Sequence, residues 1–437
     1  MSTPHLLVLS LDAVSSKDLT LLKTLPNFSK FLSKGALIEQ VHSISPSLTY
    51  PAHTTILTGN YPIHHGIINN TLLEPNSLSP NWYWYAKAIK CPTLFDLARE
   101  KGLTTCSILW PVTGRSKITY NLPEIFPTKK WHHQLVMSGL AGSLGYQLEL
   151  NRLFGHLRRG TSQPYLDDFV MACTKHTLLK YKPQLMCVHL TDVDTHRHYT
   201  GYSSEESTQA LFRHDKRLGE IITTLKEANL YENTHVILLG DHDQIPVHSM
   251  IRLNQYFLSK GLIRCNTKGH ITSYDVLAKS CDGSTYIYLK DKTNQKLIDK
   301  VHMLLKSLES LPINPIERCL TSEEVVTIGA DPKCSFMLEA KEEYYFVDDI
   351  GGDFIEPIKS KDVGNKPHHS YSTHGYLTSK PDYTTFFMAA GPLIKEGCIK
   401  KEGQLINHAP ILAHLLGLKL KNTDGHIEWS LLNEVNS

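Results

Sequence analysis

Three apolar runs, each closed by aspartate, constrain the fold of this chain more than any other feature. Leu6–Leu11 runs into Asp12, Gln184–Leu190 into Asp192 and Asp194, and Thr234–Leu239 into Gly240-Asp241-His242-Asp243. Short unbroken apolar runs suit strands buried on both faces, as in parallel sheets covered by helices. Helical spacing lies between them. Leu21, Leu22, Leu25, Phe28, Phe31 and Leu32 predict a helix over Lys17–Lys34, and Leu211, Leu218, Ile221, Ile222 and Leu225 one over Ser204–Ala228. Thr93–Lys101 reads as helix, Thr105–Leu109 and Thr384–Ala389 as strands, and 128–182 as mainly helical. A helix near Ala409–Leu416 closes the chain. The expectation is an α/β fold with a central, mostly parallel sheet. Between about Ile263 and Phe346 strand-like pieces such as Ser284–Leu289 mix with a helix near Asn294–Leu308. That change reads as an inserted α+β cap subdomain (263–346), leaving 1–262 and 347–437 as the catalytic core.

In open α/β sheets, sites form at the carboxyl ends of strands. Asp12, the Asp192/Asp194 pair and Asp241 would therefore converge on one crevice from segments more than 200 residues apart. One such aspartate could simply cap a helix; three, two of them with histidines close by, point to a metal site. Asp194 and His198 are four residues apart, which puts carboxylate and imidazole on one helical face. Asp192 and His196 share that spacing, so spacing alone leaves two registers open. Asp241-His242 offers another oxygen–nitrogen pair, and His374 a single late ligand. Such donors without cysteine suit zinc first, then manganese or iron.

The stretch Ser45–Gly59 crowds Ser45, Ser47, Thr49, Thr54, Thr55 and Thr58 around Pro46 and Pro51, with a helix expected over His53–Thr58. Any of these hydroxyls is a candidate nucleophile once something activates it. Asp243 adds a carboxylate that either tunes a metal or faces solvent. Trp82-Tyr83-Trp84-Tyr85 is read as packing rather than as a base-stacking platform, and His64-His65 and His368-His369 as loop residues near the site.

Several classes are disfavoured. A net charge of +2 gives no electrostatic case for nucleic acid or an anionic membrane. No run approaches the roughly 20 apolar residues that span a bilayer, and the N-terminus has no basic leader. Nine scattered cysteines without Cys-x-x-Cys argue against a disulfide framework and a cysteine zinc site, so a cytoplasmic location is expected.

Taken in order, Leu9-Ser10-Leu11-Asp12, Pro46-Ser47-Leu48-Thr49-Tyr50-Pro51, Leu57-Thr58-Gly59-Asn60-Tyr61-Pro62, His65-Gly66-Ile67, Trp110-Pro111, Asp194–His198 with Gly201, Asp241-His242 and Thr373-His374-Gly375 carry a resemblance. The chain resembles the nucleotide pyrophosphatase/phosphodiesterase branch of the alkaline phosphatase superfamily, especially its bacterial members. The resemblance implies an alkaline-phosphatase-like three-layer sandwich and two divalent metal ions. One ion would be held by Asp12, Thr49, Asp241 and His242, the other by Asp194, His198 and His374. The family's Asp-x-x-x-His-x-x-Gly pattern fits His198 with Gly201, and so selects Asp194/His198. Asn70 matches an asparagine that holds a phosphoryl oxygen. The implied activity is hydrolysis of phosphate esters, most simply phosphodiesters or nucleotide pyrophosphates, through a phospho-threonine at Thr49. The implied partner is a small phosphate ester, a nucleotide among the candidates. Phosphomonoester or phosphonoacetate-type hydrolysis is the alternative, and a metal-binding pseudoenzyme a third reading. Thr49 and the absence of a nearby arginine argue against a sulfatase. The chain departs from its relatives at Gly240 and Asp243, where they carry serine and glycine, and at Ala52, where many carry asparagine.

Overall fold

His5–Leu11 lies inside an eight-stranded sheet, paired in parallel with Leu185–Leu190 on one side and Thr234–Leu239 on the other. The computed structural model describes residues 4–77, 79–127, 134–366 and 368–433. Across the sheet the strands run Ile399–Gln404, Gly35–His42, Thr385–Ala390, Thr234–Leu239, His5–Leu11, Leu185–Leu190, Thr105–Ile108 and Tyr120–Leu122. Only Thr385–Ala390 is antiparallel to its neighbours. The strands alternate between two cores. Leu7, Leu9 and Leu11 pack with Phe28, Leu218 and Ile221 on one face, while Leu6 and Val8 pack with Ile56 and Leu412 on the other. Period-two alternation thus feeds a helical layer on each side.

The register places the site. Leu11 stands opposite Leu190, and Ser10 opposite Leu239, so all three central strands end level with one another. Their aspartates therefore emerge along one edge of the sheet.

Proline chemistry explains two departures from the expected helices. The single helix over Lys17–Lys34 is instead a short 3₁₀ turn at Ser16–Asp18, a helix at Leu19–Leu22 and another at Pro26–Leu32. Pro26 disfavours helical geometry at the preceding residue, and Leu25 is extended at φ −78° and ψ 140°. Pro26 then begins the next helix, where its missing N–H costs nothing. The hydroxyl-rich helix starts earlier than expected, covering Thr49–Thr58. Pro51 sits in its first turn, where a backbone N–H would have no partner within the helix.

Strands Gly35–His42 and Ile399–Gln404 were not anticipated. The second reads Ile-Lys-Lys-Glu-Gly-Gln and pairs only with the first, as a charged edge strand. In the stretch 128–182 the described helices are Gln134–Gly139, Leu144–Phe154 and Tyr165–Lys180, and 128–133 lie outside the described residues.

A second, antiparallel sheet is ordered Val276–Ser280, Ser284–Leu289, Phe336–Ala340 and Ile316–Thr321. Helix Gln295–Glu309 supplies Val301, Leu305 and Leu308 to its core. The same core takes Met250, Phe257, Tyr345 and Tyr376 from the chain on either side.

Candidate active site

Thr49 is the first residue of its helix and is buried, so its side chain stands at the positive end of the helix dipole. The preceding loop is pinned from the far end of the chain. Gly375 N–H donates to Ser47 O at 3.1 Å, and Ser47 Oγ donates to Tyr376 O at 2.9 Å. Gly375 has φ +80°, and a Cβ there would lie 1.7 Å from Cys281 O, so no other residue fits. This turn carries His374 next to the Thr49 loop. Thr49 Oγ1 lies 3.1 Å from His242 Nε2. Asn70 Oδ1 accepts from Tyr50 N–H at 2.8 Å. A backbone N–H can only donate, so the amide is oriented with Nδ2 as its outward donor end.

Around that hydroxyl the strand-end residues gather. His242 Nε2 lies 3.2 Å from Asp241 Oδ2 and 3.5 Å from Asp12 Oδ1. On helix Asp192–Thr200, His198 Nε2 lies 3.2 Å from Asp194 Oδ1, and His374 Nε2 lies 3.9 Å from the same oxygen. Two sets could each hold an ion, with donor atoms within 4.8 Å of one another: Asp194, His198 and His374, and Asp12, Asp194 and His242. Asp194 belongs to both. The rings of His242 and His374 stack with centroids 4.1 Å apart, so the two sets adjoin.

The electrostatics suit cations. Burial and then the charge of Asp194 push Asp12 up to about 7, and burial and then Asp12 push Asp241 well up. Burial lowers His374 to about 4 and lowers His242, keeping both imidazoles neutral with a lone pair to offer. Asp12 Oδ1 and Asp241 Oδ2 are buried without any hydrogen-bond donor. Buried carboxylate oxygens without donors are costly unless a positive charge meets them. Crowded carboxylates beside neutral imidazoles fit divalent ions of the zinc, manganese or iron type.

Other residues flagged in the sequence have different surroundings. Asp192 is buried and held by Arg213 Nε at 2.7 Å, Arg213 Nη2 at 2.8 Å and Arg217 Nη1 at 2.6 Å. His196 reaches it at 3.3 Å, so that pair faces an arginine cluster and the other register faces His374. Asp243 neither faces solvent nor joins the ligand sets. It accepts from Lys17 Nζ at 3.0 Å and Tyr202 OH at 2.9 Å, with Arg197 Nη1 3.9 Å away. His65 is buried and bonded to Thr55, while exposed His64 pairs with Asp424 at 2.8 Å. His368 has its ring 4.9 Å from that of His198 and pairs with Asp282 at 3.6 Å; its neighbour His369 is buried. Trp84 is buried in a small cluster with Tyr50 and Ile67, and Trp82 lies 5.0 Å from the Tyr50 ring.

Three polar neighbours were missed. Gln244 Nε2 donates to Asp194 Oδ1 at 2.6 Å, His189 contacts Asp12 Oδ2 at 3.0 Å, and Glu124 contacts His189 Nδ1 at 2.8 Å. His189 sits mid-run in the apolar strand Leu185–Leu190 and Glu124 in a loop, so neither carries a spacing signal. Gln244, two residues beyond His242, was legible only as part of that strand end.

A mostly parallel sheet between helices, with histidines and aspartates gathered at the strand ends around a helix-start hydroxyl, defines the alkaline-phosphatase-like class of hydrolases. The comparisons narrow the class. Residues 6–377 match the family described as Type I phosphodiesterase / nucleotide pyrophosphatase, and the chain belongs to that family. It is thereby a metal-dependent hydrolase of the phosphodiesterase/nucleotide pyrophosphatase kind. It is 23% identical to the bis(5'-adenosyl)-triphosphatase ENPP4 of Bos taurus, over 99% of this chain and 83% of that protein. It is 26% identical to the ectonucleotide pyrophosphatase/phosphodiesterase family member 1 of Homo sapiens over 58% of this chain, and spans only 25% of that relative's length. Among solved structures, an inactive murine ectonucleotide pyrophosphatase/phosphodiesterase 5 in complex with AMP shares the fold. Its TM-score is 0.67 at 18% identity, covering 98% of this chain and 100% of that one.

Proposed function

We propose that this protein hydrolyses phosphodiesters or nucleotide pyrophosphates, with Thr49 as nucleophile. The observation that carries this reading is Thr49 Oγ1, 3.1 Å from His242 Nε2 beside two ligand sets that share Asp194. Asp12, Thr49, Asp241 and His242 would hold one divalent ion, and Asp194, His198 and His374 the other, with zinc favoured by the oxygen–nitrogen donor set. Bound ions of this kind lower the pKa of a nearby hydroxyl and offset phosphoryl charge.

The chain's own residues do the rest. Thr49 Oγ1 attacks phosphorus as the bond to the leaving oxygen breaks in line, and the proton Thr49 gives up ends on that departing oxygen, leaving a phospho-threonine ester. Water attacking from the vacated side puts its oxygen on phosphorus, gives one of its protons to Thr49 Oγ1 as that ester breaks, and releases the phosphomonoester product. Asn70 Nδ2, the free donor end of that amide, donates to a phosphoryl oxygen as charge builds. Two relatives support a nucleotide substrate: one is named for bis(5'-adenosyl) triphosphate and one was solved with AMP.

Residues 263–346 act as a cap over the 1–262 and 347–437 core in this reading. Its support is contact with the site loops: Gly283 N–H donates to His374 O at 2.8 Å, and Asn69 Nδ2 to Ser280 O at 2.8 Å. All nine cysteines are free thiols, which favours a reducing, cytoplasmic setting. Among the described residues, no helix is long and apolar enough to cross a membrane.

The test is turnover of bis-p-nitrophenyl phosphate, p-nitrophenyl phosphate and phosphonoacetate by zinc-reconstituted protein, with and without chelator. Preference for the diester, lost with chelator, is the expected result. Preference for the monoester or phosphonoacetate would overturn the diester reading. Inactivity with metal bound would make the protein a pseudoenzyme.

A further inference from the structure

His189 is almost wholly buried and touches a carboxylate with each ring nitrogen. Its Nε2 lies 3.0 Å from Asp12 Oδ2 and its Nδ1 2.8 Å from Glu124 Oε2. The other oxygen of Glu124 accepts from Tyr50 OH at 3.1 Å. Tyr50 follows Thr49, and its N–H holds Asn70 at 2.8 Å. One continuous chain of contacts thus runs from Asp12 through His189, Glu124 and Tyr50 to Asn70. It crosses from a strand end to the helix start that bears Thr49.

The consequence for Asp12 is specific. With Oδ2 engaged by His189, the carboxylate cannot rotate freely, and Oδ1 is left as the donor-free oxygen 3.5 Å from His242 Nε2. A carboxylate fixed by an outer partner presents one preorganised oxygen, and such partners commonly contribute 10- to 100-fold in metal affinity. His189 is also locked by packing, with its ring 4.4 Å from that of His53. His53 Nδ1 in turn donates to Thr49 O at 2.8 Å.

We propose that His189, backed by Glu124, is a positioning residue that fixes Asp12 as a one-oxygen metal ligand and ties that ligand to the Thr49–Asn70 side of the site. The inference rests on Asp12 being a ligand, as in the proposed function. It assigns His189 no contact with substrate.

The test is a zinc titration of the full chain against a chromophoric chelator, with ion content per chain from elemental analysis. Wild type, Asp12→Ala, His189→Ala, His189→Gln and Glu124→Gln are compared. In His189→Ala we expect one of the two ions to bind 10- to 100-fold more weakly while the other is unchanged. His189→Gln keeps an N–H near the Nε2 position and should recover much of that loss; Glu124→Gln should fall between. Site-selective weakening with rescue by glutamine is a pattern that general loss of packing would not give. If Asp12→Ala loses one ion but both affinities in His189→Ala stay within twofold of wild type, the positioning role is overturned alone. Equal weakening of both ions in His189→Ala, with no rescue by glutamine, overturns it too. If Asp12→Ala retains both ions at wild-type affinity, the ligand assignment falls and takes this inference with it. Should His189→Ala fail to fold, His189→Gln and Glu124→Gln decide between the same outcomes by the affinity of the ion that Asp12→Ala loses.

Discussion

Thr49 Oγ1 stands 3.1 Å from His242 Nε2, joining a helix start to a strand end 193 residues further along the chain. The contact places a hydroxyl beside a neutral imidazole that itself lies against the buried carboxylates of Asp12 and Asp241. Removing the hydroxyl should therefore remove chemistry and leave the ligands in place. Thr49→Ala is expected to lower turnover of a diester substrate to background, with metal content near that of wild type; substantial activity would exclude Thr49 as nucleophile. Thr49→Ser, which keeps the oxygen, should retain measurable turnover.

Asp194 and His374 should not behave alike. His374 belongs only to the set it shares with Asp194 and His198, whereas Asp194 belongs to both sets. His374→Ala is expected to reduce metal content toward one ion per chain. Asp194→Ala should weaken both ions, seen as lower content at the same free zinc concentration. Identical losses in the two variants would contradict a shared carboxylate.

Asn70 makes a structural bond through Oδ1 and keeps Nδ2 as a donor. Losing one preorganised donor to a developing oxyanion typically slows catalysis about 100- to 1000-fold. Asn70→Ala should lower kcat by about that factor with both ions retained. An unchanged kcat would remove Asn70 from the reaction.

Arg197 is buried between Asp18, which it meets at 2.6 Å, and Asp243, 3.9 Å away, with its guanidinium 3.9 Å over the Tyr202 ring. Arg197→Met would leave buried Asp18 without its guanidinium partner, and breaking a buried pair from one side costs about 3–5 kcal/mol. Chemical denaturation should show a loss in that range. Asp243→Asn keeps the Tyr202 and Lys17 contacts in part and should cost less.

His408, His214 and His235 are buried with neither ring nitrogen hydrogen-bonded. Burial lowers His408 and His214 to about 3 and His235 to about 4. The unfolded chain, with histidines near 6.5, binds more protons below that pH than the folded chain does. The stability these neutral rings allow is complete above about pH 6.5 and is lost as pH falls toward 3–4. Each should cost about 1.4 kcal/mol per pH unit within that window. Denaturation of wild type and His408→Leu at pH 7 and pH 5 should show a smaller acid loss in the variant, because one such group is gone. Equal losses would mean His408 is not neutral in the folded state.

The central strands and the aspartates that end them were legible because apolar runs are local and each strand can bury both faces only inside a layered sheet. The Ile399–Gln404 strand was not legible: an edge strand takes its hydrogen bonds from its neighbour, and its own Lys-Lys-Glu composition reports solvent. The proline-divided helices were misread because proline in a first turn and proline in a helix interior look alike until the hydrogen bonds are known.

Within the site, sequence supplied the residue types, and family resemblance supplied their grouping. Spacing could not choose Asp194 over Asp192, since both have a histidine four residues on. The fold separates their surroundings through Arg213 and Arg217, which come from the next helix and engage Asp192. The same holds for Asp243, turned away by Lys17 and Tyr202, and for His189, which gains significance only from Asp12 and Glu124. Sequence by itself determined that the three central strands form and where their acidic ends fall, because those follow from local burial and periodicity. Tertiary structure alone decided which acid faces a neutral imidazole and which faces an arginine, because that depends on charges brought close by distant segments.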